Sequence, residues 1–155
     1  MSTPEINLSN LQVTLPAAPT PGGVYSPCLV VQGLVYVSGH IPFYADGTFA
    51  TGKVGAGGLT KEEAKVVARQ VGYNILATLK ENLGSLDKIQ RVVKVFGMVN
   101  AHPDFADHAF VMNGCTELFA EIWGPELGLG TRSAVGMGSL PKGVPVEVEA
   151  IFQLA

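Results

Sequence analysis

The chain has 155 residues, a length that fits one domain and buries roughly two thirds of the surface its unfolded form would expose. Only 15% of the residues are charged, against ~25% in an average soluble protein, while 47% are hydrophobic, so part of the surface is suited to being covered by further copies of the chain. The net charge of -3, with no cluster of Lys and Arg, disfavours a nucleic-acid partner, and no apolar run reaches the ~18 residues of a membrane span.

The first residues lack a charged start followed by an apolar block, and Cys28 and Cys115 match no metal or redox spacing, so the expectation is a cytoplasmic protein with two buried thiols. Residues 1–23 hold Pro4, Pro16, Pro19 and Pro21 among threonines and alanines and read as an extended arm with little helix. Residues 24–155 read as a single domain.

In "SPCLVVQGLVYVSGHIP", two short β-branched and aromatic runs split at Gln32-Gly33 predict a hairpin, whose second strand ends at Gly39 and Pro42. The glycine-rich stretch over 43–58 is turn-like and lacks the strand-to-helix setting and Lys-Ser/Thr ending of a phosphate loop. Thr60 and Glu63 form a capping box, after which Ala64, Val67, Ala68, Val71, Ile75 and Leu79 keep to one helical face until Gly84. "KIQRVVKVFGMVNA" follows as a strand. His102-Pro103-Asp104 is expected to open a second helix, with Phe105, Met112, Leu118, Phe119 and Ile122 on its apolar side, Gly114 weakening its middle and Gly124 past its end. Two last strands, over 131–140 and 144–154, are expected to pair as a hairpin through Pro141-Lys142-Gly143. The order ββαβαββ points to an α+β fold, a single mixed β-sheet with two helices packed on one face. The other face, carrying valine and methionine, calls for packing against other subunits.

Strand alternation sets Arg132, Ala134 and Gly136 apart from Ser133, Val135 and Met137. A guanidinium over such small residues suits a carboxylate, because its planar fork can hold both oxygens. On the last strand Glu147 and Glu149 face away from Val146, Val148 and Ala150. A solvated strand face pairing with a nearby cation carries the same residues, so alternation alone leaves both readings open. His40, His102 and His108 show no ligand spacing, no metal site is expected, and no Ser-His-Asp set or nucleophile elbow is present.

"VYVSGHIP", "RVVKVFGMV" and "TRSAVGMGSLPKGVPVEVEAI" occur in the order in which the reactive intermediate deaminase family (RidA/YjgF), formerly labelled endoribonuclease L-PSP, carries similar blocks. The chain resembles that family from about Tyr25 to its end. The resemblance implies a chorismate-mutase-like fold, a homotrimer with a cleft at each subunit interface, and hydrolysis of enamine and imine intermediates to 2-oxo acids and ammonia without metal or cofactor. By position, Arg132 matches the arginine that grips the substrate carboxylate and Glu147 the acid that orients or activates water. Tyr25, Ser38 and Gly39 match cleft residues, Ala134 stands where many members have cysteine, and His40 replaces the usual glutamine. The cleft asparagine falls nearest Asn113, or on Thr116 when counted from the helix end. A non-catalytic trimer that binds small carboxylate metabolites is the alternative, with the ribonuclease of the older label disfavoured by the acidic charge.

Overall fold

The computed structural model of the chain describes residues 2–155. Its main elements are α1 (Pro4–Asn10), β1 (Cys28–Val31), β2 (Leu34–His40), α2 (Lys61–Leu83), β3 (Ile89–Asn100), α3 (His108–Leu127), β4 (Thr131–Met137) and β5 (Val146–Leu154). One five-stranded sheet runs in the order β1-β2-β5-β3-β4; β3 and β4 are parallel and the other pairs antiparallel. This is the α+β fold with one mixed sheet that the element order predicts.

The hairpin at Gln32-Gly33 forms, with both residues at positive φ as a tight two-residue turn between twisted strands requires. The capping box of α2 is complete: Thr60 accepts from the Glu63 N–H, the Glu63 side chain accepts from the Thr60 N–H, and left-handed Gly84 closes the helix. Ala64, Ala68, Val71, Ile75 and Leu79 are fully buried. The helix packs on β2 and β5 while α3 packs on β3 and β4, so both cover one face, on which Val35, Val95, Val148 and Phe152 are also sealed.

Four expectations are corrected. Residues 1–23 are not extended throughout, because Thr3 caps α1 with Pro4 in its first turn. This third helix buries Leu8, donates from Asn7 Nδ2 to the Ile122 carbonyl at 2.8 Å, and anchors Glu5 to Lys80 at 2.7 Å and to the Leu86 N–H at 2.9 Å. The second long helix begins at His108, since His102 to Phe105 closes a turn and Asp107 pairs with Lys61 at 2.9 Å rather than capping. It also runs to Leu127, past a break at Gly124 and Pro125. Finally, β4 and β5 do not pair with each other. With Val146, Val148, Ala150 and Phe152 all buried, β5 takes the centre of the sheet, and β3 separates it from the glycine-containing β4 at the edge.

Gly114, the expected weak point of α3, marks a close approach instead. A Cβ there would strike the Lys65 carbonyl, so the glycine lets α3 lie against α2. On the uncovered face of the sheet, Leu29, Val31 and Tyr36 are exposed, and Phe96, Met98, Val135, Met137 and Ile151 are half-buried.

Candidate active site

The register distributes the predicted site residues over both faces of the sheet. Arg132 lies opposite Val95, which lies opposite Ala150, so Arg132 and Ala134 share the helix-covered face. Glu147 lies opposite Met98, which lies opposite Val135, on the uncovered face. Two separate clusters result.

The first cluster is built at the sheet edge. Arg132 Nη1 donates to Asn113 Oδ1 at 2.8 Å and to Thr116 Oγ1 at 3.0 Å, both from consecutive turns of α3. Both residues that compete by position for the cleft asparagine therefore touch the guanidinium. Among the described residues no carboxylate pairs with Arg132, whereas Lys61, Lys65, Arg69 and Lys80 each hold one. Neutral acceptors fix one nitrogen of the fork and leave its charge uncompensated. Farther along the same row, the imidazole of His108 lies half-buried on Gly136 and meets the Phe105 ring edge-on.

The second cluster lines a cavity of about 590 Å³ that brings together Tyr25, Ser38, Gly39 and Glu147, with Glu149 and Lys142 at its wall and the arm residues Pro19 to Gly22 over it. It forms where the β2–β5 ladder slips: Val37 pairs with Ala150 and His40 with Val148, so Ser38 and Gly39 together face Glu149 in a bulge. A Cβ at Gly39 would overlap the Glu147 carboxylate, so only glycine lets the acid lie there. Burial, reinforced by the negative charge of Glu149, raises the Glu147 pKa above its ordinary value. Ser38 Oγ donates to the Ser26 carbonyl at 2.6 Å, and Tyr25 Oη accepts from the Gly22 N–H at 3.3 Å, which ties the end of the arm to the bulge.

Three uncharged residues of α2 that the sequence did not mark as functional support this cavity. Gln70, Asn74 and Thr78 recur at four-residue spacing along α2 and bond to His40, Ile41 and Phe43, which line the cavity. Asn74 Nδ2 donates to the Ile41 and Phe43 carbonyls, each at 3.1 Å, and Gln70 Nε2 to Phe43 at 2.7 Å. Thr78 meets His40 Nε2 at 2.7 Å. Uncharged polar residues at i, i+4 and i+8 beside an apolar helical stripe were the available signal.

Residues 15–153 match the family model described as Endoribonuclease L-PSP. Protein TCP17 of Trypanosoma cruzi is 36% identical over 148 residues, covering 96% of this chain and 92% of its own. A structure of a protein of unknown function from Agrobacterium tumefaciens, 35% identical, superposes with a TM-score of 0.86 over 98% of this chain and 92% of that one. RidA from an Antarctic Psychrobacter, 31% identical, gives 0.61 over 88% and 94%. The chain belongs to the endoribonuclease L-PSP family, the RidA/YjgF family.

Proposed function

We propose that the protein hydrolyses small carboxylate-bearing enamines and imines to 2-oxo acids and ammonia, in clefts shared by neighbouring protomers of a homotrimer. The observation that carries this reading is the Arg132 guanidinium, held by Asn113 and Thr116 yet facing no carboxylate among the described residues. Such a group is poised for an anion from outside the chain. The acid suited to proton transfer, Glu147, stands on the opposite face of the same sheet. A trimer that packs the uncovered, valine- and methionine-bearing face against a neighbour's edge strand supplies both to one substrate.

The chemistry then needs little from the protein. An enamine takes a proton on its β-carbon and becomes an iminium whose C2 is electrophilic. Arg132 and Asn113 hold the carboxylate end, with Ala134 leaving room beside it, while Tyr25, Ser38 and Gly39 line the other wall. As water adds to C2, Glu147 accepts one of its protons. The nitrogen of the resulting carbinolamine is protonated, the C–N bond breaks as the hydroxyl loses its proton, and ammonia leaves behind a 2-oxo acid. Positioning and one base of raised basicity suffice, with no cofactor and no covalent intermediate. The buried thiols of Cys28 and Cys115 suit the cytoplasm as the working compartment.

The ribonuclease of the family label finds little support. The chain is net acidic, at -3, and its sequence nowhere clusters Lys and Arg as a site for a phosphate backbone would. The deciding experiment follows ammonia release from freshly generated 2-aminoacrylate. Arg132→Ala is expected to abolish it while the trimer mass is unchanged. Unchanged turnover rejects the role of Arg132, and Arg132-dependent binding of a 2-oxo acid without any turnover identifies a non-catalytic binder instead.

A further inference from the structure

His40 is 5% exposed, and both its ring nitrogens are engaged inside the fold. Nδ1 lies 2.7 Å from the Ser38 carbonyl, which can only accept, so Nδ1 carries the proton. Nε2 is then the acceptor for the Thr78 hydroxyl at 2.7 Å. The ring is thereby strung between helix α2 and the first residue of the bulge.

A bulge removes backbone groups from the ladder, and each must find another partner when no water reaches it. Here the Ser38 N–H donates to the Pro27 carbonyl at 3.1 Å, and the Ser38 carbonyl accepts from His40. The next residue is Gly39, on which the Glu147 carboxylate rests. Two and four residues on, the Ile41 and Phe43 carbonyls are held by Asn74 from the same stripe of α2. The bulge and the segment after it are thus tied to α2 by uncharged groups, and His40 holds the residue that precedes Gly39.

We propose that His40 is a positioning residue for Glu147: backed by Thr78, it fixes the Ser38–Gly39 bulge and thereby sets where the carboxylate stands. The proposal rests on the deaminase reading above for its kinetic consequence but not for its structural one. Burial lowers the His40 pKa, opposed by the bond to Ser38, which agrees with a ring that accepts from Thr78. Because the Glu147 carboxylate makes no hydrogen bond within the chain among the described residues, its place depends on the backbone it packs against rather than on tethers of its own.

The test compares His40→Leu, which deletes both bonds at similar volume, with His40→Asn, whose amide can still donate to Ser38. His40→Leu is expected to lower kcat by about tenfold or more with KM within about threefold, because a displaced base slows the chemical step more than binding. His40→Asn is expected to recover most of that loss. Independently of turnover, the Glu147 side-chain carboxyl, titrated by carbon-13 NMR, should move toward the ordinary carboxylate range in His40→Leu and stay near the wild-type value in His40→Asn. Lower thermal stability in His40→Leu with kcat and the Glu147 titration both unchanged overturns the proposal and makes His40 a core filler. Should His40→Leu not fold, Thr78→Val removes the Nε2 partner; an unmoved Glu147 titration there overturns it equally. If the wild-type protein turns over no imine, the deaminase reading falls and the NMR comparison alone decides the role of His40.

Discussion

The cation and the acid of the candidate site are held in opposite ways. Arg132 is tethered by two side chains on one helix, and that helix is seated against α2 by the close approach at Gly114. Glu147 has no such tether; it lies on a glycine in a bulge, where burial and Glu149 disfavour its charge. The first arrangement stabilises a charge and presents it for binding. The second keeps a carboxylate readier than usual to accept a proton, which binding alone does not require. The two halves also stand on opposite faces of one sheet.

The largest effect comes from separating the halves onto different chains. Arg132→Ala and Glu147→Gln should each lose at least ~100-fold in kcat/KM, since each removes a whole role. Refolded together at equal amounts, they should regain activity at about one quarter of the interfaces, those that pair an intact arginine from one protomer with an intact glutamate from its neighbour. Ammonia release by the mixture against the separate variants measures this. No recovery in demonstrably mixed trimers would place both groups in one protomer's site and break the comparison.

A smaller loss is expected at Gly39. Gly39→Ala puts a methyl where the Glu147 carboxylate lies, and the acid is the part that can move. A displaced base of this kind should cost about 10- to 100-fold in kcat with little change in KM. On the other side, Asn113→Ala and Thr116→Val each remove one tether from Arg132 Nη1, and the expected signature is reversed: KM rises by several-fold, more for Asn113, while kcat changes less. Steady-state kinetics of the three variants therefore sharpens the contrast between a half that binds and a half that reacts.

Much of this was legible in the residues themselves. The hairpin at Gln32-Gly33, the capped helix from Thr60, and the division of β4 and β5 into two faces follow from local chemistry that tertiary contacts reinforce. The pairing of β4 and β5 did not follow, because adjacency in sequence favours a hairpin and nothing local records that β5 has two buried neighbours to find. Helix α1 escaped notice for a similar reason: seven residues carry little periodic signal, and its stability comes from Leu8 and from the ties of Glu5 and Asn7. Arg132 and Glu147 stood out as charges in apolar strands. His40, Asn74 and Thr78 did not, since uncharged polar residues in a buried interior resemble surface residues until their partners are known.

The smallest effects follow from the protonation of Glu147. With its pKa raised, kcat/KM should fall as pH drops through a value above the ordinary carboxylate range. Glu149→Gln removes the repelling charge, so the acidic limb should move to lower pH, a shift that a pH–rate profile resolves. Stability should run the other way. A carboxyl whose folded pKa lies above its unfolded value contributes stability below the unfolded pKa and loses it as pH rises through the folded pKa. At neutral pH the ionised Glu147 is therefore a burden on the fold, and Glu147→Gln should raise Tm slightly there, with the gain vanishing under acidic conditions where both states are protonated. A variant that gains stability at neutral pH while losing turnover would mark Glu147 as a residue kept for its chemistry. A lower Tm at neutral pH would instead mean that the carboxylate is stabilised where it stands, and the contrast with Arg132 would dissolve.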